Sequence, residues 1–193
     1  MSTSLDAARE ALRARQGSGA RYDAPAAPAT ELAWVRLGTA YFARLLNALD
    51  DNALTAPSRV SGWSRRHVIA HVGYHARALC RLSEWARTGI EHPMYPSIAA
   101  RDAEITLGAT LPARALRSLF NHSEVHLNVE WRDLSDAQWD APVRTLDGTG
   151  ITARETVWLR ARDIWLSAYN LDAGAVFADF PVGLRARLED EQS

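Results

Sequence analysis

The sequence predicts an all-α protein, built as a four-helix bundle with a long connection between its second and third helices. Apolar residues recur at three- and four-residue steps in four long segments, which is the period of a buried helix face. Residues typical of helix starts and ends flank those segments. The sequence has no convincing set of strands. Amphipathic helices of this length bury their apolar faces by packing around one core.

The predicted bundle helices span residues 31–50, 65–88, 112–132 and 153–172. Ser64 is suited to cap the second helix, and Gly89 is suited to end it in the left-handed conformation. The stretch 90–111 contains prolines and a glycine, so it is predicted to be the long connection, with a short helix at 98–106. A further short helix is predicted at 181–190.

Two capping boxes follow the third predicted helix. Ser135 with Gln138 predicts a short helical turn, and Thr152 with Glu155 predicts the start of the fourth helix. Between the two boxes, residues 140–151 (DAPVRTLDGTGI) carry DG and TG turn signals. This stretch is therefore predicted to be a loop or a hairpin-like excursion.

The N-terminal part of the chain is predicted to stand apart from the bundle. Residues 17–30 are rich in glycine, alanine and proline, which favours a flexible connection. Residues 1–29 are therefore expected to form a flexible segment with a short amphipathic helix at 1–16. The helical bundle domain is expected to occupy residues 30–193.

Composition excludes several classes of protein. The net charge is −1 with both signs interspersed, which argues against a nucleic-acid partner. No apolar run approaches the roughly 18 residues of a membrane span, and no signal-peptide pattern is present. A single cysteine, Cys80, excludes a disulfide framework and fits a reducing cytoplasm. A cytoplasmic monomer or homodimer is expected. The seven tryptophans suggest a core or a pocket with large aromatic walls.

A stripe of histidines marks the second predicted helix. His67, His71 and His75 are four residues apart, and each such step advances only about 40° around a helix. Neighbouring members of such a stripe can bind one metal ion, as paired histidines do in helical zinc sites. They can equally be surface or hydrogen-bonded side chains, so the pattern alone leaves both interpretations open.

Long co-linear runs cover about residues 34–181 and together resemble one family. They include GWSRRHVIAHVGYHARAL, PMY followed by Arg101 in AARDAEI, DAQWDAPVRT, and WLRARDIWLSAYNLDAGAVFADFP. In these runs the chain resembles the mycothiol-dependent maleylpyruvate isomerases, which belong to the wider group of DinB-like bundles. The resemblance implies a DinB-like four-helix bundle, a small-molecule substrate, and mycothiol as a co-substrate in a cis–trans isomerisation.

The resemblance also implies a zinc ion, held by one histidine of the second helix and by a glutamate and a histidine on the fourth. His71 matches the first ligand. Asp163 stands in place of the glutamate, Ser167 in place of the histidine, and Asn170 in place of a following aspartate. An aspartate is one methylene shorter, and a serine hydroxyl is a poor zinc ligand at neutral pH. The family's metal site therefore cannot be transferred unchanged to this chain.

Two interpretations of the altered site remain open. In the first, His75, where the family tends to have asparagine, completes a rebuilt zinc site of His71, His75 and Asp163. In the second, the metal is gone, and these three residues and His126 act as acids and bases in the bundle cavity. The second is favoured because a rebuilt metal site requires several metal–ligand distances to be correct at the same time.

The remaining candidates are substrate-binding residues. Arg101 is suited to hold a substrate carboxylate, unless it is a solvated surface residue. Trp63 and Trp165 are candidate pocket walls, although tryptophans at helical spacing often belong to the core. The other predicted substrate-binding residues are Tyr169, Ser167 and His122.

Three functions follow from these patterns. The favoured one is an enzyme of specialised metabolism, redirected from the isomerase to a metal-independent rearrangement, cyclisation or elimination. The second is a zinc- and mycothiol-dependent isomerase or thiol transferase, and the third is a non-catalytic ligand-binding homologue. Because the chain ends soon after FADFP, the family's C-terminal domain is not expected in it.

Overall fold

The structure is a computed structural model that describes residues 22–191. Its helices, in chain order, are α1 (Ala29–Ala48), α2 (Arg65–Thr88), α3 (Ile98–Ala109), α4 (Ala113–Arg132), α5 (Glu155–Asn170) and α6 (Val182–Asp190). The predicted all-α fold is confirmed, and α3 lies in the long connection between the second and third bundle helices. The helix predicted at 1–16 lies outside the described residues. None of the helices between residues 22 and 191 combines the length and apolarity that a membrane span requires.

Helix α2 begins and ends where its flanking residues predict. Its N-cap is Ser64, whose backbone N–H donates to Nδ1 of His67 at 3.2 Å. Gly89 follows the helix with a φ of 74°, and its N–H donates to the Trp85 carbonyl at 2.8 Å. Glycine adopts this left-handed conformation at little cost. One member of the histidine stripe, His67, therefore serves the helix start.

In both predicted capping boxes, the side chain of the fourth residue accepts the backbone N–H of the first residue. The Glu155 carboxylate accepts the Thr152 N–H at 2.7 Å and the Thr152 hydroxyl at 2.8 Å, just before α5. Gln138 Oε1 accepts the Ser135 N–H at 2.8 Å, and a 3₁₀ turn follows at Gln138–Asp140. These bonds satisfy backbone donors that a helix start leaves without partners.

The prediction that the chain has no strands is wrong at one place. Strands β1 (Pro142–Arg144) and β2 (Gly150–Thr152) form a two-stranded antiparallel sheet in which Val143 pairs with Ile151. The hairpin-like excursion predicted at 140–151 is therefore a hairpin. Strands of three residues are too short to show the alternation by which a strand is recognised in a sequence.

Part of the segment before α1 contacts the bundle. The described part of the predicted flexible segment, residues 22–28, is fixed to the bundle by polar contacts. Arg154 donates to the Ala26 carbonyl at 2.7 Å, and the Ala26 N–H donates to Asp136 at 2.8 Å. These partners lie more than 100 residues away along the chain, so local composition does not reveal them.

The bundle is closed by α1 packing on α5 and by α2 packing on both α4 and α5. Helices α1 and α5 approach closely at Gly38, where a Cβ atom would lie 2.7 Å from Trp165 Nε1. The indole of Trp165 is fully buried, donates to the Trp34 carbonyl at 2.9 Å, and packs 5.2 Å from the rings of Tyr41 and Phe180. Trp165 is therefore a core residue, contrary to the expectation that it forms a pocket wall.

Candidate functional site

A cavity of about 730 Å³ lies between α2 and α5, with the start of α3 and the hairpin turn at its rim. This volume is in the range of small-molecule binding sites. Aromatic and aliphatic walls come from Trp63, Tyr95, Leu159 and Leu166. The polar side chains in the wall include five of the predicted site residues, namely His71, His75, Arg101, Asp163 and Ser167.

The Asp163 carboxylate joins two helices at the centre of this wall. Its Oδ1 lies 2.6 Å from His71 Nε2, and its Oδ2 lies 3.0 Å from His75 Nδ1. Arg160 Nη1 also donates to Oδ2, at 3.0 Å. The side chains of His71, His75 and Asp163 are only 14%, 13% and 17% exposed. The structure thus brings together the three residues that sequence analysis had placed on two separate helices.

The surroundings of this carboxylate keep it ionised. Burial by itself would raise the pKa of Asp163, but the charges of His71 and His75 and the hydrogen bonds from both hold its pKa well below its usual range. Burial lowers the pKa of His75, although the nearby charge of Asp163 opposes this. His75 Nδ1 lies 3.0 Å from Asp163 Oδ2 and 3.2 Å from Arg160 Nη1, and the guanidinium, which can only donate, is the donor in the second of these contacts.

His71 presents its second ring nitrogen to the cavity. Its Nδ1 lies 3.3 Å from Arg101 Nη2. A guanidinium can only donate, so Nδ1 is the accepting nitrogen and Nε2 carries the proton toward Asp163. The ring also packs against Trp63, with 5.7 Å between centroids. A histidine oriented by a buried carboxylate, with its free nitrogen facing a cavity, is the arrangement of a general base.

Behind Asp163 lies a buried ion pair. The Arg160 guanidinium is fully buried, and its Nη2 donates to Oε1 of Glu124. Glu124 Oε2 also accepts the Thr39 hydroxyl at 3.2 Å. Sequence analysis did not single out Glu124. One signal was available, because Glu124 follows the apolar spacing of Phe120 and would be a charge on the core face of its helix.

The donor set does not fit zinc as it stands. Tetrahedral zinc holds nitrogen and oxygen donors at about 2.0–2.1 Å, which places two donors about 3.3 Å apart. His71 Nε2 and Asp163 Oδ1 are closer than that and hydrogen-bond to each other. Arg160 Nη1 lies 3.2 Å from His75 Nδ1, next to the other candidate ligand atoms. Within residues 22–191, no three His, Cys, Asp or Glu side chains are arranged to hold a metal ion.

Two predicted site residues on α4 point away from the cavity. His122 and His126 are exposed, and His126 pairs with Glu130 through a contact of 3.3 Å while retaining 59% exposure. The face of α4 that packs into the bundle instead carries Phe120 and Leu127. The rotation of α4 therefore removes both histidines from the candidate site.

Tyr169 also lies outside the cavity wall. Its ring packs 4.3 Å from that of Phe177, and the Arg59 guanidinium lies 4.0 Å above it. Like Trp165, it belongs to the aromatic packing around the end of α5. Ser167 and Trp63, in contrast, line the cavity as expected.

Comparisons with known proteins agree with this fold. The family profile described as the mycothiol maleylpyruvate isomerase N-terminal domain matches residues 35–171. A crystal structure of a mycothiol-dependent maleylpyruvate isomerase is 43% identical, with a TM-score of 0.82, over 84% of this chain and 68% of that chain. A histidine-to-alanine mutant structure of such an enzyme matches at 42% identity, with the same TM-score and coverage. A search of curated proteins gave no match. This chain belongs to the mycothiol-dependent maleylpyruvate isomerase family, with its DinB-like helical fold.

Proposed function

We propose that this chain is a small-molecule enzyme that has been redirected from the family's isomerisation to a metal-independent acid–base reaction. The observation that carries the proposal is the 2.6 Å contact between Asp163 Oδ1 and His71 Nε2 at the wall of a cavity. Asp163 orients the imidazole and stabilises its positive charge after a proton is taken up. His71 Nδ1 is then free to act as the base.

Arg101 supports an anionic substrate for this site. It lies at the cavity rim beside the base, with Nη2 3.3 Å from His71 Nδ1 and Nη1 paired with Asp102 at 2.8 Å. A substrate carboxylate can take over the guanidinium and draw it away from Nδ1. The same binding event would anchor the substrate and expose the base.

The chemistry is a proton transfer within the bound substrate. His71 Nδ1 takes a proton from a substrate carbon, and the electron pair left behind forms a new double bond toward an electron-withdrawing group. The protonated imidazole, balanced by Asp163, returns the proton at another position. The result is a rearrangement or cyclisation, or an elimination when a leaving group departs with the electron pair.

Metal analysis and substrate profiling together test the proposal. Protein purified without an affinity tag should contain less than stoichiometric zinc and should not isomerise maleylpyruvate with mycothiol. A panel of unsaturated carboxylic acids, followed by NMR, should reveal turnover that is lost in His71→Ala and Asp163→Asn and kept in His126→Ala. Zinc at one ion per chain, lost with His71→Ala together with maleylpyruvate isomerisation, would reject the redirected function.

The second candidate is the zinc- and mycothiol-dependent isomerase or thiol transferase. Family membership and the convergence of His71, His75 and Asp163 favour it. Bound zinc would lower the pKa of a thiol and polarise a carbonyl. The side chains would first have to separate, because His71 and Asp163 now hydrogen-bond to each other.

A ligand-binding protein without catalysis is the third candidate. The cavity and Arg101 suffice to bind an anion, and tryptophan fluorescence would report binding at Trp63. Saturable binding of the acids in the panel without turnover of any of them would favour this function over both enzymes. A cytoplasmic location and a monomeric or dimeric state are also proposed, to be checked by cell fractionation and size-exclusion chromatography.

A further inference from the structure

Glu124 is a charged residue on the core-facing side of α4. It is 9% exposed, and the neighbouring positions of the same helix face are buried apolar side chains. A buried carboxylate destabilises a protein unless it is paired and hydrogen-bonded. Its partners therefore explain what this residue does.

Both carboxylate oxygens of Glu124 are engaged. Oε1 accepts Arg160 Nη2, and Oε2 accepts the Thr39 hydroxyl at 3.2 Å. The other terminal nitrogen of Arg160, Nη1, donates to Asp163 Oδ2 at 3.0 Å. One guanidinium thus joins two carboxylates from α4 and α5, with one terminal nitrogen for each.

This division has a consequence for the catalytic pair. A guanidinium with a single carboxylate partner prefers to bind both of its oxygens through two parallel hydrogen bonds. Here Glu124 retains Nη2, so Arg160 reaches only Oδ2 of Asp163. Oδ1 is left for His71 Nε2, which lies 2.6 Å away.

We propose that Glu124 is a positioning residue, which holds Arg160 so that Oδ1 of Asp163 stays available to His71. Glu124 does not line the cavity that contains Asp163, and it acts on Asp163 through Arg160. The inference deepens the proposed acid–base function and rests on it only for its catalytic consequence. The arrangement itself can be measured without any substrate.

The test uses NMR of protein labelled with heavy nitrogen in its histidines, at about pH 8, where an unperturbed imidazole is neutral. In the wild type, His71 should be protonated at Nε2, the nitrogen that faces Asp163. In Glu124→Leu, Arg160 is released to bind both oxygens of Asp163, and the hydrogen-bonded Nε2–H signal of His71 should be lost. Glu124→Gln retains an oxygen that accepts Nη2, so the signal should persist.

Arg162→Met is the matched control, since Arg162 lies on the same helix but pairs with Glu191 at 3.1 Å. Its histidine signals should match the wild type. Persistence of the hydrogen-bonded His71 Nε2–H signal in a folded Glu124→Leu protein overturns the proposal. So does its loss in a folded Glu124→Gln protein.

Glu124→Asp provides a second route if Glu124→Leu does not fold. Its carboxylate is one methylene shorter and should no longer hold Nη2, so Arg160 is again free to bind both oxygens of Asp163. The hydrogen-bonded Nε2–H signal of His71 should therefore be lost although the charge is kept, and its persistence overturns the proposal. If the wild-type pattern is as expected but no acid is turned over, the proposed function fails and this inference stands.

Discussion

Replacing Arg160 by methionine should destabilise the protein by about 3–5 kcal/mol, the cost of breaking a buried ion pair from one side. The guanidinium is fully buried, and among residues 22–191 it is the one charged side chain that pairs with Glu124. After the substitution, Glu124 keeps only the neutral Thr39 hydroxyl, at 3.2 Å. A nearly inaccessible carboxylate is then left without compensation for its lost hydration.

Replacing Glu124, the other partner of the ion pair, should destabilise the protein less than replacing Arg160. In Glu124→Leu, Arg160 keeps the carboxylate of Asp163, which lies 3.0 Å away. The expected loss is about 1–3 kcal/mol, the cost of leaving one buried hydrogen-bonding group unsatisfied. The double variant Arg160→Met/Glu124→Leu removes both charges and should lie within about 1 kcal/mol of the wild type, because apolar replacements of buried pairs are often neutral.

Urea unfolding at neutral pH measures these differences, and thermal unfolding provides a second readout. For a domain of this size, about 1 kcal/mol shifts the midpoint temperature by roughly 2–4 °C, so Arg160→Met should melt about 6–20 °C lower. The exposed pair of Arg162 supplies the control, since Arg162→Met should change stability by about 0.5 kcal/mol or less. An Arg160→Met protein within about 1 kcal/mol of the wild type would refute the predicted cost, as would a double variant no more stable than the single variant.

Three further predictions concern the packing, the histidines and the response to acid. Gly38→Ala should cost about 1–3 kcal/mol in urea unfolding, because the added Cβ meets the buried indole of Trp165 at 2.7 Å; Gly150→Ala, with open space around it, is the control, and equal losses would contradict the packing argument. His126→Ala should leave both turnover and stability unchanged within about 0.5 kcal/mol, since the side chain is exposed; loss of turnover would return it to the site. Burial lowers the pKa of His75, so the unfolded chain binds its proton first and stability should fall as the pH drops below about 6.5. This fall, followed by unfolding at successive pH values, should be smaller in His75→Gln, and equal slopes would show that His75 does not contribute.

Much of the fold could be predicted from local sequence. The long helices follow from apolar periodicity, and the ends of α2 follow from Ser64 and Gly89, because capping depends on residues within one turn of the helix end. The strands around Gly148 could not be predicted as strands, since pairs of three residues are held mainly by their cross-strand partner and by burial of Val143.

The candidate site, like the fold, could be predicted only in part from local sequence. The spacing of His71 and His75 places both on one face of a helix, and that geometry belongs to the helix itself. The contact of either histidine with Asp163 depends on how α5 is rotated and how closely it packs, which no local pattern contains. His126 illustrates the converse, because its helical spacing was favourable while the rotation of α4 turned it to solvent.

The sequence by itself determined the helices, their caps and the residue types that depart from the family's metal ligands. Only the tertiary structure decided that Asp163 meets two histidines and that Arg160 joins it to Glu124, a residue more than 30 positions away along the chain. Periodicity defines the faces of each helix relative to its own axis. The neighbour that each face meets is set by packing of the whole bundle, and a buried charge such as Glu124 acquires its role only from the partner brought against it.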